Sequence, residues 1–243
     1  MTDKLVLEPG ARVFVLTGAG ISAESGISTF RDANGLWEKH PFETVASPRG
    51  WMNDAALVWR FYSERRAQAK TCHPNRAHFA LAELEARIGD DFFLCTQNVD
   101  SLHEKAGSKR VVHMHGELFK SRCEDPTCPE GPPFEDHALY LRAEEIAHCA
   151  CGLRLRPHIC WFGEVPFEMG RIAFELARAN VFLTVGTSGA VYPAAAFVGT
   201  ARAHGARTIY VGPEPPDNAD AFDELRLGKA GELLPALLAP ELL

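Results

Sequence analysis

Six short apolar runs ending in small or polar residues punctuate the chain: ARVFVLTG (11 to 18), DFFLCTQN (91 to 98), RVVHMHGE (110 to 117), LRPHICWFGE (155 to 164), NVFLTVGTS (180 to 188) and ARTIYVG (206 to 212). Their length and their β-branched and aromatic content predict buried strands. Helical periodicity lies between several of them, over Asn75 to Ile88, Phe167 to Ala179, and Pro193 to His204, the last opened by a proline and stopped by Gly205. Strands alternating with helices predict an α/β fold whose mostly parallel sheet is covered on both faces. Two stretches break the alternation: a Gly- and Pro-punctuated loop running into a helix, and a Cys-bearing segment containing CPEGPPFED. They predict a small second domain, built from insertions 30–70 and 120–154 into a large domain of 1–29, 71–119 and 155–243.

The composition leaves few broad classes open. The chain has 243 residues, 46% of them hydrophobic and 23% charged, as in a soluble globular protein with a sizeable core. A net charge of -7 argues against nucleic acid or an anionic membrane as partner. No run approaches the roughly 18 apolar residues of a membrane span, so a cytoplasmic protein is expected; the sequence does not fix the oligomeric state, and a monomer is the default expectation. Seven cysteines are unevenly spaced, with Cys123, Cys128, Cys149 and Cys151 clustered and Cys72, Cys95 and Cys160 apart. Such a cluster without a secretory signal points to a metal site before a disulfide framework.

The stretch TGAGISAESGISTFR, Thr17 to Arg31, begins where the first apolar run ends. Gly18, Ala19, Gly20 and Ala23 fit a relaxed GxGxxA fingerprint, in which bare backbone N–H groups and a helix N-terminus face a phosphate. An ordinary dehydrogenase then continues to a second strand ending in an acidic residue; this chain enters GISTFRDANGLWEKHPFETVASPRG instead. A dinucleotide cofactor without hydride transfer is the resulting expectation. Three further segments sit at strand ends: TQNVD (96 to 100), HMHGEL (113 to 118) and GTS (186 to 188). Together with GAGISAESGISTFR and PHICWFGE, these motifs resemble in order the signatures of the sirtuins, NAD-dependent protein lysine deacylases, over almost the whole chain, and most resemble those of small bacterial members.

The resemblance implies a Rossmann-like large domain, a small domain with zinc and helical modules, and a cleft between them for NAD and acyl-lysine. Gly18, Ala19, Gly20, Ile21 and Ser22 would lie against the phosphates, Phe30 and Arg31 would begin a loop over the nicotinamide, and Gly186, Thr187 and Ser188 would complete the cofactor site. Asn98 and Asp100 would orient the nicotinamide ribose and carboxamide, and Gln97 the ribose. His115 would be the general base that takes a ribose hydroxyl proton. His113 competes for that role, because two positions apart on a strand face the same side. Ala230, in GKAGE, would close the adenine end through backbone groups, whereas Gly212 stands where many sirtuins carry an adenosine-contacting Asn.

Four thiolates in two pairs suit a closed tetrahedral zinc site of structural role, with His148 an alternative ligand. In LVWRFYSERRAQ, Leu57, Val58, Phe61, Tyr62 and Arg65 share one helical face, and Arg66 points elsewhere. An Arg on an apolar face needs an anionic partner, and the Tyr62/Arg65 pair resembles that of sirtuins removing succinyl and malonyl groups. Trp161, Phe162 and Gly163 would lie in an extended segment, Cys160 to Glu164, beside which the substrate peptide adds as a strand; the alternative for the aromatics is plain core. The expected activity is removal of succinyl, malonyl and acetyl groups from lysine, releasing nicotinamide and O-acyl-ADP-ribose. Mono-ADP-ribosyl transfer and a non-catalytic NAD- or acyl-lysine-binding module are the alternatives.

Overall fold

A computed structural model describes residues 4–28, 36–37 and 40–240; Phe30 and Arg31 lie outside the described residues. In chain order the strands and helices are β1 (Val13–Thr17), α1 (Ala19–Ala23), β2 (Leu36–Trp37), β3 (His40–Pro41), α2 (Phe42–Val45), α3 (Pro48–Asn53), α4 (Ala55–Thr71), α5 (Arg76–Ile88) and β4 (Phe92–Thr96). There follow α6 (Leu102–Lys105), β5 (Val111–His113), β6 (Gly116–Cys123), β7 (Phe134–Glu135), β8 (Leu155–Ile159), α7 (Met169–Leu176), β9 (Val181–Val185), α8 (Phe197–Ala203), β10 (Arg207–Gly212), β11 (Glu224–Leu227) and α9 (Ala230–Leu237).

Six strands form one parallel sheet in the order β11-β10-β9-β1-β4-β5. Strand alternation splits its core in two. Val13 and Val15 pack with Leu81 and Leu84 of α5 and Leu234 and Leu237 of α9. Phe14 and Leu16 pack on the other side with Ile172 and Leu176 of α7 and Val198 of α8. From β1 the chain builds outward through β4 and β5, then returns to β9 and builds the other way, so the strand order reverses between β1 and β9. In a doubly wound sheet the crevice beyond the carboxyl ends at such a reversal is where ligands bind.

Two glycine segments meet at that crevice. Gly20 donates its N–H to the carbonyl of Gly186 at 2.8 Å, and Gly18 donates to Val185 at 2.9 Å. Gly186 has φ +63, and a Cβ on it would stand 2.4 Å from the Ile21 nitrogen. Gly186→Ala should therefore lose about 1–3 kcal/mol of stability, read as a lower urea midpoint. Gly26→Ala serves as the control, because Gly26 shares a left-handed backbone (φ +86) but has no neighbour within 4 Å of a Cβ. An equal loss in both variants would mean that conformational strain, and not the close approach, is what Gly186 relieves.

Two predicted strands differ from their sequence reading. The run 110–117 divides into β5 and the start of β6, because Gly116 takes φ +86 and passes so close to β8 that a Cβ would lie 2.0 Å from the His158 carbonyl oxygen. The run 155–164 supplies β8, which pairs antiparallel with β6 in a separate sheet of order β7-β6-β8. Pro157 has no N–H to give to a central ladder, and Arg156 and His158 break the apolar run. Helix α4 is the long helix expected after the loop, capped by Asp54, whose Oδ1 accepts from the Leu57 N–H at 2.8 Å. It buries more than one face: Trp59, Ser63 and Arg66 are enclosed as well as Val58, Phe61, Tyr62 and Arg65. Among the described residues no helix is long and apolar enough to cross a membrane.

Candidate active site

The loop after β4 carries Gln97, Asn98 and Asp100, and hydrogen bonds stitch it to the glycine turn after β1. Asn98 Nδ2 donates to the Gly18 carbonyl (3.1 Å) and to Ser22 Oγ (3.2 Å), and Ser22 Oγ in turn donates to Asp100 Oδ2 (3.1 Å). The Leu102 N–H donates to the other oxygen, Asp100 Oδ1, at 3.0 Å. Ser22, Asn98 and Asp100 are all buried, so the turn and the loop form one polar wall. Burial raises the pKa of Asp100, against the opposing effect of the Leu102 and Ser22 hydrogen bonds and the nearby His113.

Residues that sequence reasoning missed hold this wall from behind. Thr17 and Thr96 are partners in the β1–β4 register, and Thr17 Oγ1 donates to Thr96 Oγ1 at 2.8 Å. Thr96 Oγ1 also accepts the Asn98 N–H at 3.0 Å, while the buried His103 ring lies with Nε2 3.0 Å from Thr17 Oγ1. Both threonines end runs that are otherwise apolar, and that is the signal by which they were findable.

His113 and His115 both reach back to this loop. His115 Nδ1 lies 3.1 Å from the Gln97 carbonyl oxygen, and a carbonyl only accepts, so Nδ1 carries the proton and Nε2 holds a lone pair. Burial lowers the pKa of His115, with the Gln97 contact opposing, so the ring is neutral at pH 7. His113 has acceptors at both nitrogens, the Asn98 carbonyl 3.0 Å from Nδ1 and Glu104 Oε1 2.7 Å from Nε2. Only His115 has the lone pair a general base requires.

Gln97 is anchored through its backbone, the N–H donating to the Thr17 carbonyl at 2.9 Å. Its side-chain Nε2 is buried without a hydrogen-bond partner among the described residues. A stranded amide donor beside a glycine-lined crevice fits a ligand rich in hydroxyl and phosphate oxygens. Across the crevice, Thr187 Oγ1 accepts from the Gly189 N–H (3.1 Å) and Ser188 Oγ from the Ala190 N–H (3.3 Å), shaping the turn after β9. Ala230 opens α9 beyond β11, and the N–H of the next residue, Gly231, is taken by Glu24 Oε1 at 2.9 Å. Gly212 ends β10 under the Tyr210 phenol: a Cβ there would fall 2.3 Å from Tyr210 Oη, which donates to the Glu214 carbonyl at 2.8 Å.

The four clustered cysteines converge, with ligand sulfurs all within 4.8 Å of one another. Cys123 Sγ and Cys151 Sγ are 3.7 Å apart, and Cys128 Sγ and Cys149 Sγ 3.8 Å. Those separations are far from a disulfide of about 2.05 Å. They match the edge of a tetrahedron with metal–sulfur bonds of about 2.3 Å, about 3.8 Å, so the donor set fits zinc. His148 is not part of this group. Cys123 lies at the far end of β6 from His115, so a metal there holds β6 and the 149–151 turn together and takes no part in the chemistry.

Tyr62 and Arg65 stand one turn apart on α4, both buried; Tyr62 packs in the core with Phe61 and Trp161, and the Arg65 guanidinium lies 5.5 Å from the Phe61 ring. Trp161 Nε1 donates to Tyr62 Oη at 3.1 Å. Burial pushes the Tyr62 pKa up despite that bond and the neighbouring Arg65, so the phenol keeps its proton. Arg66 does point elsewhere, to β6 and to Asp136 and Ala138 just after β7. The segment 160–164 is not extended: Glu164 donates its N–H to Trp161 O at 2.9 Å and Gly163 takes φ +91, making a turn. Trp161 is core, 2% exposed, whereas Phe162 is 42% exposed and packs on Phe42 with ring centroids 4.5 Å apart. Glu164 fixes the turn, accepting from the Trp161 N–H (2.8 Å) and from both terminal nitrogens of Arg156 (2.7 and 3.0 Å).

Comparison with known proteins agrees with this geometry. Residues 18–193 match the model of the Sir2 family. The chain is 50% identical over 230 residues to an NAD-dependent protein deacylase of Pasteurella multocida, covering 94% of this chain and 97% of that protein. A mutant Sir2 homologue in complex with ADP-ribose superposes with a TM-score of 0.84 at 38% identity, over 93% of this chain and 90% of the other. A Sir2 protein bound to a myristoylated histone peptide superposes with a TM-score of 0.71 at 33% identity, over 93% and 89%. With a family match over most of its length, and a cysteine cluster and glycine crevice of the expected geometry, this chain belongs to the Sir2 family.

Proposed function

We propose that the protein is an NAD-dependent protein lysine deacylase that accepts acidic acyl groups, succinyl and malonyl, as well as acetyl. The observation that carries the reading is the contact of His115 Nδ1 with the Gln97 carbonyl at 3.1 Å, which leaves Nε2 to take a proton on a ring whose pKa burial lowers. NAD supplies the electrophilic ribose carbon, the departing nicotinamide and the acceptor of the acyl group. The protein orients and moves protons. Gln97 Nε2 donates to the ribose, Asn98 and Asp100 hold the nicotinamide ribose and carboxamide, and His115 Nε2 takes the proton of a ribose hydroxyl. Gly18 to Ser22 and Gly186 to Ser188 line the phosphate side, and Ala230 the adenine end. Zinc held by the four thiolates supports a small domain of 30–70 and 120–154 against the sheet. The separate apolar cluster of Val58, Trp59, Phe61 and Tyr62 favours a distinct core for the small domain, with Leu118, Ile159 and Trp161 joining it from the segments assigned to the large one.

The acyl preference rests on Tyr62 and Arg65, a protonated phenol and a guanidinium buried one turn apart among aromatic side chains. Such a pair binds a carboxylate strongly and offers an acetyl methyl nothing. Phe162 and Gly163, on the turn, contact the peptide, and Trp161 supports them from the core. The test is a mass-spectrometric time course with NAD and one peptide bearing acetyl- or succinyl-lysine. Arg65→Met should reduce desuccinylation about ten- to a hundredfold, and deacetylation far less. Equal losses on the two peptides would refute the acyl assignment, and ADP-ribose appearing on protein instead of as O-acyl-ADP-ribose would turn the reading toward ADP-ribosyl transfer.

A further inference from the structure

We propose that His113 is held by Glu104 as a doubly protonated imidazolium and acts as the positioning residue of the loop that carries Asn98 and Asp100. The consequence for catalysis rests on the reading of that loop as cofactor-binding; the protonation state does not.

The geometry makes the argument. Nδ1 of His113 faces the Asn98 carbonyl oxygen at 3.0 Å and Nε2 faces Glu104 Oε1 at 2.7 Å. Neither oxygen donates: one is a carbonyl and the other a carboxylate. A neutral imidazole has one N–H, so one of the two contacts would set lone pair against lone pair. Protonation of both nitrogens satisfies both contacts, and 2.7 Å is the length of a charge-assisted bond. Glu104, its side chain 40% exposed, supplies the negative charge from the solvent side, while the His113 side chain is only 7% exposed.

The surroundings agree. The charged groups that act on this ring are Glu104 on α6, Asp100 on the loop after β4 and Glu117 on β6, three carboxylates. The nearby His103 is buried and its pKa is pushed well down, so it adds no competing positive charge. Burial by itself depresses the pKa of His113, but the Glu104 hydrogen bond and charge, the Asn98 carbonyl and Glu117 outweigh it and raise the pKa above the ordinary histidine value.

Two effects follow. The Nδ1–H pins the backbone of Asn98, whose side chain spans Gly18 and Ser22. The positive charge also works against the desolvation of buried Asp100. His113 and His115 therefore hold adjacent carbonyls of one loop through the same ring atom and differ only at Nε2, which faces a carboxylate in one and carries a lone pair in the other. Since the folded pKa of His113 is raised, its stabilisation is complete below the unfolded value and is lost as pH rises through the folded one.

The test uses the full chain labelled with 15N-histidine, with the His113 resonance assigned by its loss in His113→Gln. One imidazole should stay doubly protonated above the ordinary midpoint of about 6.5, and Glu104→Gln should return it to ordinary titration. In the same variant, the ratio of variant to wild-type kcat/KM for NAD should fall about tenfold between pH ~6.5 and ~8.5, the size of shift one adjacent charge produces. The loss should appear in KM for NAD and not in KM for the acyl peptide. A His113 that titrates at or below the ordinary midpoint, a ratio constant with pH, or an equal rise in both KM values would overturn the proposal. Absence of NAD-dependent turnover in the wild type would sink the functional reading instead, with the labelled spectrum still deciding the imidazolium.

Discussion

His115→Asn is expected to slow deacylation by about 10²- to 10⁴-fold, the contribution of a well-placed general base. Asn is the informative replacement because its amide can still donate to the Gln97 carbonyl that His115 Nδ1 approaches at 3.1 Å. The loop stays anchored while the lone pair at Nε2 is lost. The pH profile supplies a second reading. A base works unprotonated, so wild-type kcat/KM should fall as pH drops through the pKa of His115, which burial moves below the ordinary histidine value. That acid limb should be absent from the residual activity of the variant. A variant within tenfold of wild type that keeps the same limb would transfer the role to another group. His113 is excluded from it by geometry, with acceptors at both ring nitrogens.

Arg66→Met should destabilise the fold by about 3–5 kcal/mol, as loss of one partner from a buried ion pair does. Arg66 is fully buried and serves five acceptors: the carbonyls of Leu118 (2.8 Å), Lys120 (3.3 Å) and Ala138 (2.7 Å), Asp136 Oδ2 (3.2 Å) and Ser121 Oγ (3.1 Å). Methionine fills the volume but leaves a buried carboxylate without its cation and three carbonyls without the guanidinium donor. The second substitution Asp136→Leu should recover part of the loss, because it removes the uncompensated charge; no recovery would mean that the carbonyls, and not the pair, carry the stability. Urea denaturation at pH 7 measures both. Burial by itself raises the Asp136 pKa, but hydrogen bonds from Ser121 and the Ala138 N–H, together with Arg66, bring it below the usual carboxylate value. Its contribution is therefore present above the unfolded pKa and lost as pH falls through the folded one.

Much of this was legible in the chain. β1, β4 and β9 are buried at every position and apolar but for one threonine each, the pattern of strands covered on both faces, and the residues just past their ends line the candidate site. Apolar content alone found β8 as a strand but gave no sign that it joins a separate antiparallel sheet, although Pro157 was there to object. β11, with alternating half-exposed and exposed residues, is too short and polar to announce itself. The supports of the site were hidden for a different reason. Thr17 with Thr96, His113 with Glu104 and Glu24 with Gly231 are pairings created by topology, and no local pattern encodes which polar residue another will meet. The turn at 161–164 was misread as extended because what bends it, the grip of Glu164 on the Trp161 N–H and Arg156, is set by β8.

On the proposed reading, the hydrogen bond from Trp161 to Tyr62 ties the choice of acyl group to the grip on the peptide. A lineage drifting toward longer, uncharged acyl chains would have to shed the phenol to open the channel. In doing so it would strand the indole N–H beneath the turn that carries Phe162. The cheapest escape is a paired change at positions 62 and 161, so new acyl specificities in this scaffold should arise by double substitution.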